Sequence, residues 1–139
     1  MLMGKFTHNL DAKNRLFIPA KHREQLGESF VITRSIDKCL SVYSKEEWER
    51  YAEKLDQLPS TQAREIARFL YANATEVQPD SQGRVLVPAE LVSHAGIEKS
   101  AVIVGCGRRA EIWAEEIWNK NSENEQSDAL RDLMISLGF

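Results

Sequence analysis

Two short strings hold the residues of this chain whose types and spacing could do chemistry. One is Leu10-Asp11-Ala12-Lys13-Asn14-Arg15-Leu16-Phe17-Ile18-Pro19-Ala20, and the other is Pro79-Asp80-Ser81-Gln82-Gly83-Arg84-Val85-Leu86-Val87-Pro88-Ala89. Asp, Arg, Pro and Ala recur at identical places, offset by 80 − 11 = 69 residues. Arginine carries a planar fork that matches a phosphate or the edge of a guanine. Aspartate accepts backbone N–H groups within a turn. Lys5, Thr7, Lys13 and Asn14 lie near the first arginine in sequence, and lysine and threonine side chains suit phosphate. The chemistry these types offer is recognition of nucleic acid rather than bond-making. The competing reading is a repeated structural turn, in which Asp pairs with Arg to stiffen the bend and nothing is bound.

Other chemistry finds no support in the sequence. Gly105-Cys106-Gly107 lacks the following glycine, helix and acidic partner of a dinucleotide fingerprint. His8, His22, His94, Cys39 and Cys106 lie too far apart for a metal-ligand spacing. No Ser-His-Asp or Cys-His arrangement can be argued, and the carboxylates are scattered along helix faces. The expectation is a protein that is not an enzyme and uses no cofactor or metal. The two cysteines have apolar flanks, and both are expected to be reduced core residues.

Net charge is −3 over 139 residues, which does not advertise a nucleic-acid partner. Its distribution does. Residues 1–23 carry Lys5, Lys13, Arg15, Lys21 and Arg23 against Asp11 alone, a net of +4 that leaves −7 for the remainder. The second repeat, from Glu76 to Glu90, sets Arg84 against Glu76, Asp80 and Glu90, a net of −2. A charged N-terminal strand and helix that are simply solvated fit this distribution equally well; if nucleic acid is bound, the first repeat is expected to face it and the second to suit scaffold and subunit contacts. Apolar content of 42% is ordinary for a soluble globular chain. No apolar run approaches the ~20 residues that cross a bilayer, and no signal peptide is read at the N-terminus.

The elements that must position these residues follow from pattern. Gly4–Leu10 alternates as a strand, with Lys5, Thr7 and Asn9 on one face and Phe6, His8 and Leu10 on the other. Asp11 and Asp80 open tight hairpin turns whose fourth residue, Asn14 or Gly83, accepts φ > 0. Arg15 and Arg84 begin the returning strands, and Pro19 and Pro88 stop them and start short helices that end before Gly27 and Gly96. Strands follow over 30–35 and 40–43, then a helix with a Ser44-x-x-Glu47 capping box and a stripe of Trp48, Tyr51, Ala52 and Leu55. Pro59 breaks it, and Ser60 or Thr61 caps the next helix, whose apolar face is Ala63, Ile66, Ala67, Leu70 and Tyr71. The second half repeats the scheme, with strands at 75–78, 101–105 and 110–113 and a helix at 114–120 containing Trp118. A loop over 121–127 follows, then a last helix capped by Asp128, with Leu130, Leu133, Met134 and Leu137 along one side. Gly107-Arg108-Arg109 reads as a solvated hairpin tip, His94 as a surface or capping residue, and Trp48 as packing. The fold class is α+β, divided as 1–58, a connecting helix over 59–73, and 74–139.

Gly4-x-Phe6-x-His8-x-Leu10-Asp11-Ala12-Lys13-x-Arg15-Leu16-x-x-Pro19-Ala20-x-x-Arg23, the second Asp80-x-x-Gly83-Arg84 and the helices of Trp48 and Trp118 together resemble the MraZ family over nearly the whole chain. Asn14 departs from the glycine usual in that family, with a residue that tolerates the same backbone. The resemblance implies two homologous AbrB-like swapped-hairpin β-barrel halves forming an intra-chain pseudo-dimer with flanking helices. It implies a bacterial transcriptional regulator that binds short DNA repeats before the division and cell-wall gene cluster. It further implies a ring-shaped homo-oligomer of octamer size or larger, cytoplasmic and associated with the nucleoid. The expected DNA contacts are Arg15, Lys13, Asn14, Lys5 and Thr7, with Asp11, Asp80, Gly83 and Arg84 shaping the turns. The rival is a non-DNA assembly module, antitoxin-like or a scaffold, that binds a protein partner.

Overall fold

Alternation along residues 5–9 sets the first strand, β1 (Lys5–Asn9), with Lys5, Thr7 and Asn9 exposed and Phe6 and His8 half-buried. The computed structural model describes residues 1–123 and 127–139. After β1 come β2 (Arg15–Phe17), α1 (Ala20–Leu26), β3 (Phe30–Arg34), β4 (Leu40–Ser44), α2 (Lys45–Asp56) and α3 (Ser60–Tyr71). The second repeat supplies β5 (Thr75–Val77), β6 (Arg84–Leu86), α4 (Ala89–Ala95), β7 (Ser100–Gly105), β8 (Ala110–Ala114) and α5 (Glu115–Ser122), and α6 (Asp128–Ser136) follows. The class is α+β, as the pattern predicts.

The strands form two antiparallel sheets, one of six strands in the order β1-β7-β8-β4-β3-β5 and one of two, β2-β6. Here the hairpin expectation is corrected. Both Asp turns form, but their arms do not pair with each other. β1 pairs with β7 and β2 with β6, while β5 pairs with β3. The reason lies in β1's inner face. His8 packs edge-on against Phe17 of β2, and Phe6 against His22 of α1. The returning strand therefore stacks on the face of β1 instead of lying along its edge. The β2–β6 register is symmetric about the equivalent pair Leu16 and Val85, and Arg15 faces Leu86 as Phe17 faces Arg84. The same holds in the large sheet, where β4 meets β8 about Ser41 and Glu111.

Both repeats feed one core. Leu16, Ile18, Phe30, Ile32 and Leu40 of the first are fully buried with Val85, Val87, Leu91, Ile103 and Ile112 of the second. Truncating Phe30 to Ala would cost about 3–5 kcal/mol. Trp48 packs on Tyr43 and Tyr71, as expected, and Trp118 packs on Trp113.

Helix ends differ from expectation in instructive ways. Pro19 and Pro88 are N-caps with ψ of 141° and 145°, not first helical residues. Pro59 takes the same role for α3, so neither Ser60 nor Thr61 caps it. Proline's fixed φ and extended ψ make the boundary without a side-chain acceptor. Ser44 Oγ accepts from the Glu47 N–H at 3.2 Å, but the Glu47 carboxylate turns to Arg50 at 2.6 Å, leaving half a capping box. Ser127, not Asp128, caps α6 by accepting from the Leu130 N–H at 3.2 Å. The predicted loop over 121–127 overlaps α5, which runs to Ser122, and its residues 124–126 lie outside those described. Both cysteines are free, with Cys39 buried as expected and Cys106 exposed, because Cys106 follows β7 on the tip rather than within it.

Candidate nucleic-acid interface

Each Asp-x-x-x-Arg string closes on itself. Asp11 Oδ1 accepts from the N–H groups of Lys13 at 2.9 Å and Arg15 at 2.8 Å, and Oδ2 accepts from Arg15 Nε at 2.7 Å. The Asn14 N–H donates to the Asp11 carbonyl at 3.0 Å, with φ of 60° at Asn14. The second turn repeats this. Asp80 Oδ1 accepts from Gln82 at 2.9 Å and Arg84 at 3.0 Å, and Oδ2 from Arg84 Nε at 3.1 Å, with φ of 78° at Gly83. The backbone N–H of Arg15 and its guanidinium hold the Asp11 carboxyl below its ordinary range, and Arg84 does the same for Asp80. The structural pairing of Asp with Arg is thus present. It uses only Nε, and the terminal nitrogens of Arg15 engage no protein acceptor within hydrogen-bond distance among the described residues.

The two turns are also tied to each other's strands. The Ile18 N–H donates to the Gly83 carbonyl at 2.9 Å, and the Val87 N–H to the Asn14 carbonyl at 2.8 Å. Leu16 and Val85 of the β2–β6 ribbon are fully buried, so by alternation Arg15, Phe17, Arg84 and Leu86 share its other face, where Phe17 is covered by His8 and Arg23 and Leu86 is exposed. An Arg84 terminal nitrogen lies 3.8 Å from Asp11 Oδ2, joining the two repeats at this surface.

Among the predicted contacts, the structure brings Lys13, Asn14 and Arg15 together at the first turn, beside Arg84 and Asp80. Lys13 is exposed, and Asn14 and Arg15 are half-buried. Lys5 and Thr7 share one face of β1, as alternation requires. That face is opposite to Phe6, which packs on His22 of α1, and His8, which packs on Phe17 of β2, so neither residue joins the turn. Lys5 lies over the Trp118 ring at 6.0 Å. Nearness in sequence does not survive the stacking of β2 on β1. Of the three acids in the −2 tally for the second repeat, Glu76 is held by Lys45 of α2 at 2.6 Å and Asp80 by Arg84. Sequence reasoning left Arg23 out of the contact set, although it sits one turn into α1 on the ribbon's surface. Its signal was its place one helical turn after Pro19, which returns it to the residues just before α1. No group of three or more His, Cys, Asp or Glu able to hold a metal occurs among the described residues.

This fold and site define an α+β protein made of two copies of one unit, each presenting an arginine on an Asp-braced turn. A family model described as "MraZ protein, putative antitoxin-like" matches residues 1–68 and again 70–133. The chain belongs to the MraZ family. It is 53% identical to the transcriptional regulator MraZ of Heliobacterium modesticaldum over 88% of this chain and 87% of that one. It is 51% identical to the protein of that name from Thermoanaerobacter sp. (strain X514), over 97% of this chain and 100% of the relative. The relative from Alkaliphilus oremlandii is 46% identical, with both chains covered in full.

Proposed function

We propose that this chain is a sequence-specific DNA-binding transcriptional regulator acting at short upstream repeats of the division and cell-wall gene cluster. It works as a ring-shaped homo-oligomer in the cytoplasm, on the nucleoid. The carrying observation is Arg15: Asp11 occupies its Nε, and its two terminal nitrogens engage no protein acceptor within hydrogen-bond distance among the described residues. Such a fork can take guanine O6 and N7 while Lys13 and Asn14 hold the neighbouring phosphate. Lys5 and Thr7, on the other face of β1, are assigned to phosphate of the same or an adjoining duplex segment. Asp11, Asp80, Gly83 and Arg84 shape the turns. In this reading the β2–β6 exchange makes the chain an AbrB-like swapped-hairpin pseudo-dimer, with 1–58 and 74–139 as its halves and 59–73 as the join. One turn with few contacts binds weakly, and several on a ring gain about 10²–10⁴ in avidity when the DNA repeats match their spacing. The names of the relatives, all transcriptional regulators, support the reading.

The second reading, a module that binds a protein, is favoured by α6, where Leu133, Met134 and Ile135 are exposed together with the C-cap Leu137. Footprinting of the chain on the DNA upstream of its own gene, with a fluorescence titration across salt, separates the two. Protected repeats and salt-sensitive binding support the regulator. Arg15→Ala is expected to cost about 1–3 kcal/mol on the specific site. Binding that ignores both salt and Arg15 supports the assembly module instead.

A further inference from the structure

The two turns are not equivalent, and the difference is a side chain from α1. Arg23 Nε donates to the Ile18 carbonyl at 2.9 Å, and its guanidinium lies over the Phe17 ring at 5.5 Å. There it meets the second repeat. A Cβ built on Gly83 would fall 2.8 Å from Arg23 Cζ, and Gly83 is buried beneath this group. Applying the 69-residue offset puts Val92 where Arg23 stands and Asn14 where Gly83 stands. Valine has no guanidinium to lay on a turn, and Asn14 keeps its side chain at φ of 60°. The chain therefore pairs Arg with Gly at one turn and Val with Asn at the other.

We propose that Arg23 is a positioning residue, clamping the second repeat's turn onto the first repeat's strand and so holding Arg84 beside Asp11 and Arg15. The clamp needs three properties at once. An N–H must point along the chain to Ile18, a flat cation must cover Phe17, and a residue without Cβ must sit beneath. Lysine keeps the charge but lacks the plane and the Nε–H. The consequence is a division of labour: the clamped turn is a fixed frame, and the uncapped first turn meets the ligand. The second half of that statement rests on the DNA reading above; the clamp itself does not.

The test uses the full-length chain with Arg23→Lys, Arg23→Ala and Gly83→Ala, each checked for retained fold by circular dichroism. Amide exchange without DNA is read at Ile18 and Gly83, and at Val87 and Asn14 of the other turn. All three variants are expected to speed exchange at Ile18 and Gly83 by about tenfold or more. The Val87 and Asn14 amides should keep their protection. On DNA bearing the upstream repeat, Arg23→Lys is expected to weaken specific binding several-fold with the salt slope unchanged. Full protection in Arg23→Lys, equal loosening of both turns, or a lowered slope with exchange unchanged would each overturn the proposal. Failure of the unsubstituted chain to bind DNA would overturn the regulator reading instead, and the exchange result would still decide the clamp.

Discussion

Arg84 of the second repeat places a terminal nitrogen 3.8 Å from Oδ2 of Asp11 in the first, and no reciprocal ion pair joins Asp80 to Arg15. Asp11 thus stands between two guanidinium groups, with Arg15 Nε the nearer at 2.7 Å. The asymmetry gives Asp11 more to do than its equivalent. Asp11→Ala removes the acceptor of two backbone N–H groups and the charge that separates the arginines. Amide exchange at Lys13 and Arg15 is expected to accelerate well beyond the change that Asp80→Ala causes at Gln82 and Arg84. Equal effects at the two turns would show that the 3.8 Å contact has no energetic consequence.

Lys13 is exposed on the first turn and makes no ion pair among the described residues. A lysine that neutralises one phosphate releases about one counterion, so Lys13→Ala should lower the slope of log K against log salt by about one unit. Its backbone N–H still serves Asp11 in the variant, and the melting temperature should hold. An unchanged slope would take Lys13 off the contact list.

What the sequence made legible was local. The repeat, the turns, both tryptophan helices and nearly every strand could be read because Asp, Asn or Gly, Arg and Pro each act on their own neighbours. Two things could not be read. One was partner choice: the residues of β2 fit an edge or a face equally well, and only the packing of Phe6 and His8 on α1 and β2 decides for the face. The other was the meeting of distant side chains. Lys5 and Thr7 read as neighbours of Arg15 and lie on the face of β1 opposite Phe6 and His8, while Arg23 and Gly83, 60 positions apart, meet.

The opening segment is held by one such meeting. Gly105 donates its N–H to the Gly4 carbonyl at 2.8 Å, and a Cβ at Gly105 would lie 2.3 Å from Met3 N and 2.4 Å from Leu2 C. Both are backbone atoms and cannot swing away as a side-chain tip does. Gly105→Ala is expected to cost about 1–3 kcal/mol and to release buried Leu2, seen as a lower melting temperature and earlier proteolysis before β1. A variant as stable as the unsubstituted chain would show that the segment yields freely.

Acid should act on the turns late. Asp11 and Asp80 lie below their ordinary value of 3.8 because backbone and guanidinium N–H groups favour their charged forms. A depressed folded value means the contribution is complete above the unfolded value and is lost as pH falls through the folded one. The turns should therefore stay closed at pH 5 and loosen only below about 3.8. Carboxyl carbon shifts followed by NMR should give both aspartates midpoints under that of an unstructured peptide. A midpoint at or above 3.8 for either would mean its N–H donors do not bind the charged form.

Burial raises both thiols, and Glu111 adds to it. Its carboxylate is buried on β8 opposite Ser41, where Oε2 accepts from Arg109 at 3.1 Å, while Oε1 accepts from Trp113 Nε1 at 3.2 Å and from Cys106 Sγ at 3.6 Å. Partial burial and this negative charge push the Cys106 thiol up to about 11, and burial followed by the same charge pushes Cys39 to about 12. Only thiolate attacks an alkylating reagent, so at pH 8 Cys106 should react about a hundredfold more slowly than a free thiol despite its exposure. Cys39 should react only as the chain unfolds, and its labelling rate should follow denaturant. Glu111→Gln removes the charge but keeps an acceptor, and should speed Cys106 labelling while leaving Cys39 dependent on unfolding. Rapid labelling of Cys106 in the unsubstituted chain would mean that Glu111 does not face the thiol in solution. The same rate in Glu111→Gln would assign the whole retardation to burial.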